Sequence, residues 1–167
     1  MTTTRSVEQE RTRRRALSAD GPGAHNCTPE PLMFSFDRSP DSVPGAVSPR
    51  NACQPRQARR ILRAALRHWK CVDVMDTALL LLTELVTNAL QHGDGPTVGV
   101  RVELRDGSLM VAVTDGSAAV PVPRRPGPDA ENGRGLFLVD ALSTSWGVSP
   151  DGGTTWFVLS LTEGATT

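Results

Sequence analysis

The chain has 167 residues, with 18 basic and 18 acidic side chains and a formal net charge of zero, so no whole-molecule field draws it to nucleic acid or anionic lipid. That length suits one domain of roughly 100 to 130 ordered residues plus a tail. Tyrosine is absent, which leaves the core to aliphatic side chains, and purely apolar runs such as residues 78–82 are far too short to cross a bilayer.

Residues 1–30 are mostly Thr, Arg, Glu, Ser, Gly and Pro and read as a disordered tail. No apolar stretch of signal-peptide type precedes the rest, and the expected location is the cytoplasm. Within the tail, the RTRRR run at 11–15 is a basic cluster that reads either as solvated or as a contact for phosphates or an acidic partner. Leu32, Phe34 and Phe36 alternate as a short edge strand, and residues 38–54 form a Pro- and Ser-rich connector. Cys27, Cys53 and Cys71 form no CxxC pair, and the histidines fall at no ligand-like spacing. Reduced thiols are therefore expected rather than a zinc site.

Residues 55–163 carry the periodic patterning of the domain, followed by a tail at 164–167. Ala58, Ile61, Leu62, Ala65, Leu66 and Trp69 fall at helical spacing behind Pro55, a residue suited to a first turn, while Arg56, Arg59, Arg60, Arg63 and Arg67 occupy the other faces. A second helix is predicted from about Val74 to Gln91, stopped by Gly93-Asp94-Gly95-Pro96. Two alternating runs, "TVGVRVEL" and "LMVAVTD", flank an Asp-Gly turn and predict an antiparallel hairpin. Residues 116–132 hold four prolines and form a long loop. "GRGLFLVDALSTSW" opens a third helix, and "TTWFVLSL" is a last strand. The order predicts an α+β two-layer sandwich, with helices on one face of a mostly antiparallel sheet.

The second helix holds an unusual seam. At 100° per residue, Glu84, Asn88 and Gln91 fall within about 60° of one another, roughly opposite Leu79, Leu82, Val86, Ala89 and Leu90. Such a stripe is either a solvent-facing edge or the lining of a site, and the helix alone leaves both readings open.

Four boxes shift the balance: Glu84-x-x-x-Asn88-Ala89, Asp115-Gly116, Gly133-Arg134-Gly135-Leu136 and Gly153-Thr154. In this order they resemble the GHKL-type ATPase superfamily shared by histidine kinases, DNA gyrase and the MutL proteins. Within it, the likeness is greatest to the single-domain bacterial anti-sigma factor serine/threonine kinases. It covers about residues 55–161.

That resemblance implies a Bergerat-type ATP-binding fold, with ATP between the helix layer and one end of the sheet. It implies that Asn88 ligates Mg²⁺ through oxygen and that Glu84 accepts a proton from an attacking hydroxyl. Asp115 would read the adenine amine, with Gly116 allowing close approach and Thr154 adding a nearby hydroxyl. Gly133, Arg134, Gly135 and Leu136 would meet the phosphates at a helix N-terminus, under a lid formed by the Pro-rich loop with Arg124 and Arg125. His92 would sit at a helix C-terminus, where a cation is favoured. The superfamily usually shows Asp-x-Gly, whereas this chain has Asp115-Gly116-Ser117; a serine there is expected to restrict the backbone and weaken adenine packing.

The implied activity is transfer of the ATP γ-phosphoryl group to a Ser or Thr of a small regulatory partner, with a sigma factor bound in the other state; the implied partners are a sigma factor, an anti-anti-sigma-like regulator, or both. The alternative is a catalytically silent ATP-binding module that sequesters its partner. Binding of nucleic acid by the basic tail is the third and weakest reading, and no membrane partner is expected. Relatives of this type commonly pair, so a homodimer is an expectation that the composition leaves open.

Overall fold

The structure, a computed structural model, describes residues 28–39, 46–117 and 134–161. The elements are β1 (Leu32–Asp37), α1 (Gln54–His68), α2 (Met75–His92), β2 (Thr97–Arg105), β3 (Ser108–Thr114), α3 (Arg134–Leu142), β4 (Ser145–Val148) and β5 (Thr154–Ser160). The strands form one sheet in the order β1-β2-β3-β5-β4, and every neighbouring pair is antiparallel. The arrangement is the expected α+β sandwich. The tail through residue 27, the basic run within it, and the proline-rich loop with Arg124, Arg125 and Gly133 lie outside the described residues.

Period-two patterning decides which face of the sheet the helices cover. Val98, Val100 and Val102 of β2, Leu109, Val111 and Val113 of β3, and Phe157 and Leu159 of β5 are all buried. Each such side chain contributes on the order of 1.5–3 kcal/mol through removal from water. The intervening positions, such as Arg101, Met110, Ala112 and Trp156, are less covered. Glu103 is the exception: it lies buried on the outer face, paired with Arg101. The β2–β3 hairpin turns at Asp106 (φ 49°) and Gly107 (φ 71°), and two positive φ values are what a two-residue turn matched to strand twist requires.

Helix α1 begins with a proline in its first turn and buries Ala58, Leu62 and Leu66 against α2. It ends on Lys70 at φ 59°, with the Cys71 N–H reaching back to the Leu66 carbonyl at 2.8 Å. This is the left-handed helix stop that glycine usually provides. Helix α2 lies between α1 and the sheet and buries Leu79, Leu82, Val86, Ala89 and Leu90, with Ala78, Leu81 and Leu85 buried besides. Among the described residues, no helix is long and apolar enough to cross a membrane.

One expected element is corrected. The third helix does not run through Trp146 but ends at Leu142, where the Ser143 hydroxyl donates back to the Val139 carbonyl. Residues 145–148 are instead an edge strand on β5. Two contacts hold this segment extended: the Trp146 indole donates to Asp140 of α3 at 2.8 Å, and Gly147 packs closely against the Trp156 ring. A methyl group on Gly147 would come within 2.6 Å of that ring.

Candidate functional site

The polar seam of α2 meets the start of α3. Glu84, Asn88 and Gln91 are half-buried and His92, in the last turn, is exposed. Gly135 is pressed against the seam so closely that a methyl group on it would lie 2.8 Å from Glu84 Oε2 and 3.1 Å from Asn88 Nδ2. Neither the Glu84 nor the Asn88 side chain has a hydrogen bond or ion pair among the described residues. Burial pushes the Glu84 carboxyl above its ordinary value. A half-buried carboxylate and amide whose side chains lack partners among the described residues, one turn apart, turn a carboxylate oxygen and an amide end toward α3. The solvent-facing reading of the stripe does not explain why α3 closes on it.

Asp115 lies at the C-terminal end of α2. It follows β3, and Gly93 caps the helix there by donating to the Ala89 carbonyl at 2.9 Å. A methyl group on Gly93 would fall 2.5 Å from that carbonyl oxygen and 2.8 Å from Asp115 Cβ. Gly95 donates to the Asp115 carbonyl at 2.8 Å, and the Asp115 N–H donates to the Gly153 carbonyl at 2.9 Å. Asp115 is thus clamped between the helix end and the turn before β5. Burial pushes its carboxyl up; the Ser117 N–H, donating to Oδ1 at 2.8 Å, pulls it down, Asp94 raises it and Arg38 lowers it, and the net direction is upward. From Glu84 to Gly93 the helix rises about 13 Å, which sets the two clusters at the two ends of a candidate groove.

Asp115-Gly116-Ser117 resolves differently from its expected behaviour. The left-handed residue is Gly116, at φ 68°, whose added methyl would meet Gly95 Cα at 3.1 Å. Ser117 is buried and has no positive φ. The left-handed backbone falls on Gly116, so a serine at 117 puts no strain on the backbone.

The remaining predicted residues divide. Gly135 joins the seam, whereas the Leu136 side chain lies in the core with Val139, so any part it plays toward a ligand falls to its backbone. Arg134 begins α3. The Thr154 hydroxyl meets that of Thr114, the residue before Asp115, at 2.8 Å. Strand register puts Thr155 opposite the buried Val113, on the helix-covered face, so Thr155 is the hydroxyl on the groove side. Sequence reasoning missed Thr155 and also the spacer role of Gly93 and Gly95. The Gly-Asp-Gly signal was visible but read only as a helix stop.

A family model described as "Histidine kinase-like ATPase domain" matches residues 47–159. The chain belongs to this family. The matched span runs from the turn before α1 into β5 and so takes in both clusters of the groove. This histidine kinase-like ATPase domain is also similar to an uncharacterized protein of Streptomyces coelicolor. The two are 42% identical over 76 residues, which cover 42% of this chain and 71% of the relative. Membership of the ATPase family implies ATP binding, and the groove fits it: unpaired oxygens at Glu84 and Asn88, glycine-lined close approaches, and a clamped carboxylate at the other end.

Proposed function

We propose that the chain is an ATP-dependent serine/threonine protein kinase of the anti-sigma factor type. It moves the γ-phosphoryl group of ATP onto a Ser or Thr of a regulatory protein partner and binds a sigma factor in its other state. The observation that carries this reading is the closure of Gly135 onto Glu84 and Asn88, which brings a helix N-terminus, with its unpaired N–H groups, over a carboxylate and an amide. Donors of that kind favour phosphate.

In this reading Asn88 offers its side-chain oxygen to magnesium, and Asp115 accepts from the exocyclic amine of the purine. Magnesium held there would offset the charge of the phosphates. Glu84 takes the proton of the acceptor hydroxyl as that oxygen bonds to the γ-phosphorus. The bond from phosphorus to the β–γ bridging oxygen breaks, and its electron pair leaves with ADP. The protein's contribution is position and charge compensation rather than covalent chemistry. Burial that raises Glu84 toward a useful proton affinity supports its role as the base.

The test is incubation with Mg²⁺ and γ-labelled ATP, with and without sigma-type and anti-anti-sigma-type regulators as candidate acceptors. Label on a Ser or Thr of an acceptor, lost in Glu84→Ala, supports the kinase. Tight ATP binding with no transfer to any acceptor would favour the silent module instead.

A further inference from the structure

The outward face of α1 is not used by the nucleotide groove, and its charge is out of proportion to the chain. Arg56, Arg59, Arg60, Arg63 and Arg67 are all exposed. On a helix they fall within an arc of about 100° and extend roughly 16 Å along the axis. The helix contains no acidic residue, and none of the five arginine side chains has a hydrogen bond or ion pair among the described residues. The chain as a whole is neutral, with 18 basic and 18 acidic side chains, and among the described residues this stripe is a local concentration of unpaired positive charge. The opposite face, Ala58, Leu62 and Leu66, is fully buried, which holds the stripe rigidly at the surface.

From this we infer that the arginine stripe of α1 is a docking surface for an acidic helical segment of a partner protein. Carboxylates three and four residues apart on a partner helix repeat at the same 5–6 Å spacing as these arginines. The planar guanidinium fork matches each carboxylate with two donors. Nucleic acid is the lesser match. A neutral chain lacks the overall field that sequence-independent phosphate binding uses. Beside the stripe, the amide of Gln57 is engaged with Cys53 Sγ, and α1 carries no Phe, Tyr or Trp, its one ring being His68 at the C-terminal end.

The experiment uses the full chain and two labelled probes, a synthetic helical peptide with glutamates at i, i+4, i+7 and i+11, and a short DNA duplex. Binding is followed by fluorescence anisotropy from low to high salt. The wild type is expected to bind the peptide more tightly than a control with the same composition and scattered charges. Arg59→Glu with Arg63→Glu should weaken that binding at least about tenfold, and the neutral pair Arg59→Gln with Arg63→Gln should weaken it less. High salt should weaken the wild type most. Melting temperature and stabilisation by Mg·ATP, measured on the same variants, should stay unchanged, which separates this surface from the nucleotide groove. Equal binding of the ordered and scattered peptides, tighter binding of the duplex, or insensitivity to charge reversal in a folded variant would overturn the inference.

Discussion

Gly135 of α3 rests directly on Glu84 of α2, leaving no room for even a methyl group between them without displacing the carboxylate: the nearest oxygen would lie 2.8 Å away. The obstructing atom is the end of a flexible side chain, so Glu84 can swing aside. Gly135→Ala is therefore expected to cost little stability, below about 1 kcal/mol, but to weaken Mg·ATP binding about tenfold or more by moving Glu84 and Asn88 off the groove. Thermal melts and calorimetry on one preparation check both halves.

Gly93→Ala provides the contrast. There the added methyl meets the Ala89 carbonyl oxygen at 2.5 Å and Asp115 Cβ at 2.8 Å, and the carbonyl belongs to backbone that cannot rotate away. The expected loss is on the order of 1–3 kcal/mol, read as a lower denaturation midpoint in urea. A variant as stable as wild type would mean that α2 and Asp115 are not clamped together.

The upward shift of Glu84 has a definite sign. The folded chain holds this proton more tightly than the unfolded one, so the contribution to stability is full below the ordinary glutamate pKa of about 4.3 and is lost as pH rises through the higher folded value. Glu84→Gln resembles the protonated form. It should melt above wild type at about pH 8, by less than about 1 kcal/mol because water still reaches the carboxylate, and together with wild type near pH 4. Melts at the two pH values decide it, and a glutamine variant less stable at the higher pH would reverse the sign.

Ser117 yields a negative prediction. Because the left-handed residue is Gly116, restoring the family pattern with Ser117→Gly should change ATP affinity less than about twofold. By contrast, Gly116→Ala forces an unfavourable φ at a cost of about 1–2 kcal/mol and should weaken adenine recognition, measured as a fall in the preference for ATP over GTP.

How much of this could be read in advance depended on how local each signal was. The α2 seam was legible because helical periodicity, four-residue spacing of Glu84 and Asn88, and the glycine stop all lie within one stretch. The β2–β3 hairpin was legible for the same reason, with Asp106-Gly107 between two alternating runs. β4 was not, because four residues with Gly147 in the middle offer almost no alternation, and the Ser143-Thr144-Ser145 run can be read as continuing helix. Thr154 and Thr155 are neighbours of equal chemistry; only the pairing of β5 with β3 decides which faces the groove. The packing of Gly93 and Gly95 against Asp115 is likewise a contact between distant residues, which no local pattern carries.

The account rests on a groove that begins at Glu84 and Asn88, passes under Gly135 and ends at Asp115. Titration of the full chain with Mg·ATP in a calorimeter tests it most directly. The expected result is saturable heat with one nucleotide per chain, weakened in Asn88→Ala and Gly135→Ala while both variants stay folded. No heat from the folded wild type, or equal affinity in both variants, would contradict it.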